Sequence, residues 1–96
     1  MADGMRCWVR TVRGNHVSAW RHGEGHHLQW IQNYFAQPNR NMLVLIGGTD
    51  EDGDMRFFRC QADSNDRIVG TLAGRRVEIV WARRERTEAE VLARYP

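Results

Sequence analysis

Ninety-six residues, 42% of them apolar and 27% charged, with a formal net charge of +2, suit one small globular domain and not a disordered chain, and leave no room for a second core. The longest apolar run, Met42 to Ile46, is too short to span a bilayer or to form a signal-peptide core, so the sequence predicts a cytoplasmic protein without a membrane partner. Two cysteines, Cys7 and Cys60, lie in alternating segments and read as reduced core thiols rather than a disulfide framework.

Cys7 to Val12 alternates as a strand does, and Gly14-Asn15 offers a turn before a second, weaker strand from His16 to Trp20. From Glu24 the spacing becomes helical: Leu28, Ile31 and Phe35 form a stripe flanked by His27 and Tyr34, and Pro38-Asn39 ends the helix. Met42 to Ile46, bounded by Asn41 and Gly47-Gly48, reads as a central strand buried on both faces, at the centre of the core. The acidic loop Asp50-Glu51-Asp52-Gly53-Asp54 leads into a strand from Met55 to Cys60, and Asp63 to Asp66 marks the next turn. Arg67 to Leu72 and Arg76 to Ala82 form a hairpin around Ala73-Gly74, with Val77, Ile79 and Trp81 on one face. Thr87 and Glu90 have capping-box spacing, and Val91, Leu92 and Tyr95 give a final helix its apolar side. The predicted fold is a single α+β domain over residues 1–96: one mainly antiparallel sheet of four to six strands, with the central and C-terminal helices packed on one face.

All fourteen basic side chains are Arg, and the chain is lysine-free; codon bias accounts for this, while guanidinium forks also suit carboxylate and phosphate contacts. Charge is uneven along the chain, at +3 over residues 1–48, −4 over 49–66 and +3 over 67–96. His22 and His26 have metal-ligand spacing, but Gly23 and Gly25 interrupt the helix they would need, so neither a metal nor any other cofactor is expected. Asp50, Asp52 and Asp54 match only the start of a calcium loop, because the glycine is misplaced and Gln61 stands where a bidentate Glu belongs. Arg56-Phe57-Phe58-Arg59 interleaves cations with rings that point to opposite faces; Arg56 and Phe58, with Arg83, Arg84 and Arg86 at the end of the last strand, are the candidate binding residues.

Ala82-Arg83-Arg84 followed by a helix with Glu90 and Tyr95, together with Arg21-His22-Gly23, Phe35-Ala36-Gln37-Pro38 and Met55-Arg56-Phe57, resembles BrnT-type toxins of the RelE ribonuclease superfamily over residues 21–95. Trp81 stands where those toxins usually have serine. The resemblance implies RNA cleavage and an antitoxin partner, with Arg83 and Arg84 on RNA phosphate and His22 or Tyr95 assisting proton transfer.

Without a complete catalytic set, but with four Trp and abundant Arg, the residues themselves lead first to a non-catalytic interaction protein: a regulator, immunity protein or phage-type inhibitor that binds a protein partner. A toxin cleaving RNA is the alternative. Plain nucleic-acid binding through the basic segments comes third, and a small homo-oligomer is compatible with each.

Overall fold

Alternation along two strands far apart in sequence sets the centre of the fold. The computed structural model describes residues 6–82 and 84–96. Its elements are β1 (Arg6–Arg13), β2 (His16–Val17), β3 (Arg21–His22), α1 (Gly25–Phe35), β4 (Leu43–Thr49), β5 (Met55–Ala62), β6 (Arg67–Leu72), β7 (Arg75–Ala82) and α2 (Glu88–Arg94). The strands make one antiparallel sheet in the order β2-β1-β7-β6-β5-β4, with β3 also paired to β1. No helix among the described residues is long and apolar enough to cross a membrane.

β1 and β7 lie side by side, Trp8 opposite Val80 and Val9 opposite Ile79, and both are buried on both faces. Cys7, Val9, Val77 and Ile79 face α1, whose Trp30, Ile31 and Tyr34 complete a core with Phe58, Cys60 and Ile68. Trp8, Val80 and Ala82 point the other way, into a second cluster with Trp20 and with Val91 of α2. The helices therefore cover opposite faces, not one as the sequence suggested: two adjacent strands with two apolar faces each need cover on both sides. Trp30, absent from the predicted helical stripe, stacks on Phe58 with ring centroids 4.9 Å apart. Leu92, expected on the buried side of α2, is instead exposed.

Among the described residues the sheet has seven strands, one beyond the predicted four to six, because the segment beside β1 is broken in two. Val12 pairs with Val17 but Val9 with Arg21, so one extra residue is accommodated and Ala19 and Trp20 together stand opposite Arg10. Ser18 bridges the break, its hydroxyl accepting from the Thr11 N–H at 2.9 Å. This β-bulge frees Trp20 to turn under the sheet.

Met42 to Ile46, predicted to be central, lies in and beside β4, the edge strand; Leu43 and Leu45 pack on the core while Val44 and Ile46 are exposed. Gly70 of β6 has no substitute, since a Cβ there would lie 2.1 Å from the Arg59 carbonyl oxygen and 2.8 Å from the Phe58 ring. The β6–β7 hairpin turns through Ala73 (φ 50°) and Gly74 (φ 75°), the left-handed pair of a two-residue turn.

Candidate functional site

The sheet face that carries α2 has two unlike halves. In the half over β1 and β7, Arg10 and Glu78, both buried, pair at 3.2 Å, and Arg67 reaches the same carboxylate oxygen at 2.9 Å. Arg10 also donates to the Tyr95 and Pro96 carbonyls at 3.1 and 3.2 Å and lies 4.3 Å from the Trp20 ring. The Tyr95 hydroxyl donates to Asp66 at 2.6 Å, and Arg94 pairs with both Asp66 and Glu85. Trp8 donates its indole N–H to the Glu85 carbonyl at 3.1 Å. The predicted capping box is present, Glu90 N–H to Thr87 Oγ1 at 3.3 Å and Thr87 N–H to Glu90 Oε1 at 3.1 Å. The C-terminal segment is thus anchored along its length.

Among the described residues, the half over β4 and β5 has no such cover. Met42 just before β4, and Val44 and Ile46 within it, alternate with the core-facing Leu43 and Leu45, and Met55 and Phe57 alternate along β5, with Ile46 opposite Phe57. These are five of the seven exposed large apolar side chains among the described residues, so the exposure is one patch and not scatter. Among the described residues β4 is also a free edge, and Met42 to Thr49 contains no charged residue, the usual guard against unwanted strand pairing. Beyond the patch, the acidic hairpin is held by Asp50, whose side chain accepts from the Asp52 and Asp54 N–H groups, each at 2.9 Å.

The candidate residues do not form one site. Phe58 is fully buried, which removes it as a surface contact; its face of β5 also carries Cys60 and packs over Gly70, whereas Phe57, one position earlier, is exposed. Arg56 projects to the α1 side, into a cleft it shares with Arg21 and Arg75. Arg84 is exposed, Arg86 donates its backbone N–H to Glu90 at 3.2 Å, and Arg83 lies outside the described residues. The His22 ring stacks on Trp8 at 4.0 Å, and His26 leans on His27 at 3.9 Å and approaches Glu24 at 3.6 Å. Among the described residues no three His, Cys, Asp or Glu are grouped to hold a metal. Burial pushes the Cys7 and Cys60 thiols up to about 11, which makes both inert at neutral pH.

The apolar β4–β5 face was missed in the sequence, although the uninterrupted run Met42 to Ile46 was its signal: an apolar strand at an edge has an outer face with nothing to cover it. Compared with protein-family models, curated proteins and solved structures, the chain shows no match.

Proposed function

We propose that this protein is a non-catalytic binding module that docks a protein partner on the outer face and free edge of β4. The observation that carries the reading is the patch Met42, Val44, Ile46, Met55 and Phe57 beside an uncharged edge strand whose outer side pairs with no described strand. A partner strand added to β4 gains main-chain hydrogen bonds along the edge and packs alternate apolar side chains onto Val44, Ile46 and Phe57. The acidic hairpin at one end of the patch, with Asp50, Glu51, Asp52 and Asp54, repels phosphates and so favours protein over nucleic acid here.

The test is capture of interacting proteins by the wild type and by a Val44→Asp, Phe57→Asp double variant, with size analysis of the isolated protein to identify self-association. The reading expects specific partners on the wild type that are lost from the variant while its melting curve stays cooperative. Partners retained equally by the variant would overturn it.

A ribonuclease reading, which the motif resemblance suggests, draws on one arrangement: His22 stacks on Trp8, whose indole holds the Glu85 carbonyl, bringing His22 and the segment after Arg84 around one ring. Tyr95, by contrast, has its hydroxyl committed to Asp66 and Ser64. Induced expression in a bacterial host beside an Arg83→Ala, Arg84→Ala variant separates the readings. Arrested growth with fragmented RNA, reversed by the variant, would put the ribonuclease first.

A further inference from the structure

On the opposite side of the sheet, beyond the start of α1, a cleft of about 210 Å³ opens over Val9, Thr11, Leu72 and Val77. Its cations are Arg21, Arg56 and Arg75, and among the described residues no Asp or Glu lines it. None of the three arginines forms an ion pair with a described residue, whereas Arg10, Arg67, Arg76 and Arg94 all do. The Arg56 Nε is buried without a hydrogen-bond partner among the described residues.

Both irregularities of the sheet serve this cleft. Without the extra residue at Ala19–Trp20, Arg21 would fall opposite Trp8 and point to the α2 face; the bulge places it opposite Val9 and on the cleft side. The second register shift puts Gly47 and Gly48, which carry no side chains, across from Arg56, whose Nη2 donates to the Thr49 carbonyl at 3.4 Å. Gly47 cannot carry a Cβ without meeting Leu72 at 2.6 Å. His27, in the first turn of α1, accepts the Glu24 N–H on its Nδ1 at 3.0 Å, which leaves its ring proton on Nε2 as a donor at the cleft wall. Burial, then His26 and Arg21, push its pKa down to about 4, so it is a neutral donor at physiological pH.

We propose that this cleft binds a phosphomonoester dianion whose organic part rests on the apolar floor. Three guanidiniums without carboxylate partners match a group with two negative charges and three acceptor oxygens better than a single carboxylate, and Arg forks fit phosphate geometry. The site is independent of the partner face proposed above, because Arg56 and Phe57 project from opposite sides of β5.

The experiment is a titration of the intact protein with inorganic phosphate, phenyl phosphate and a phosphoserine peptide, followed by amide and imidazole NMR shifts, with chloride at matched ionic strength as reference. Saturable shifts at His27, Ala73 and Val77 are expected. They should weaken roughly tenfold or more in Arg56→Gln and in Arg75→Gln, each with an unchanged melting curve, and persist in Arg59→Gln on the other face. Phosphate shifts no larger than those from chloride, or equal binding by the Arg56 and Arg75 variants, would overturn the proposal. Should either variant lose its fold, Arg21→Gln on the short edge strand provides the same reading. Tighter binding of the peptide than of phenyl phosphate would assign a phosphorylated protein as the source, and the reverse order a small molecule; both orders support the site.

Discussion

The two halves of the α2 face are built from the same sheet yet hold different chemistry. Over β1 and β7, a buried carboxylate, Glu78, is surrounded by Arg10, Arg67 and Arg76, and the C-terminal residues close over it. Over β4 and β5, apolar side chains stand in solvent. Polar groups were buried where the chain could supply partners for them, and apolar groups were left outside where it supplied no cover. The last helix covers an apolar cluster through Val91 and an ionic one through Arg94, whereas the outer face of β4 has no cover among the described residues.

The largest effect should come from the covered half. Glu78→Ala removes the shared carboxylate and leaves Arg10 buried without its counter-charge, with a loss of about 3–5 kcal/mol in urea denaturation. A loss near zero would mean that the ion cluster contributes nothing there and that the contrast is one of shape alone.

A pH titration loads the other side of the sheet. His27 is held neutral in the fold, with a pKa of about 4 against an ordinary 6.5. The unfolded chain therefore takes up the proton first as pH falls. Stability from this group is complete above about 6.5 and declines towards 4, by roughly 2 kcal/mol between pH 7.5 and 5. Denaturation midpoints at these two pH values should differ less in His27→Gln than in the wild type, and an equal difference would remove His27 as the cause.

A smaller change tests how firmly α2 seals its half. Thr87→Ala deletes one side of the capping box and should cost about 1 kcal/mol, with faster hydrogen exchange at the Trp8 and Trp20 indoles than in the wild type. The smallest stability effect belongs to the bare half: Val44→Thr with Phe57→Ser should stay within about 0.5 kcal/mol of wild type while binding of an apolar-surface dye falls. A large destabilisation would show that the patch is part of the core and would sharpen the contrast in the opposite direction.

Much of this was legible locally. The alternation of Cys7 to Val12, the hairpin at Ala73-Gly74, the helical spacing after Glu24 and the Thr87–Glu90 cap are short-range patterns, set by where a side chain points relative to its near neighbours. The candidate site was less legible. Choosing Phe58 over Phe57 required the phase of β5, and that phase depends on which face finds Gly70 and α1. Arg56 was singled out by its aromatic neighbours but belongs with Arg21 and Arg75, to which no spacing rule connects it.

Sequence alone determined the α+β class, the positions of the main strands, and the two cysteines as alternating, core-type residues, because backbone propensity and periodicity act over a few residues. Tertiary structure decided that the first and last strands lie side by side and are buried on both faces, that the most apolar run lies at an edge, and that the helices cover opposite faces. Strand order is a contest among distant segments for the same hydrogen bonds and the same cover, and its outcome depends on the whole chain at once. The bulges that turn Arg21 towards the cleft and open space around Arg56 are a product of that contest, and so is the uncovered face of β4.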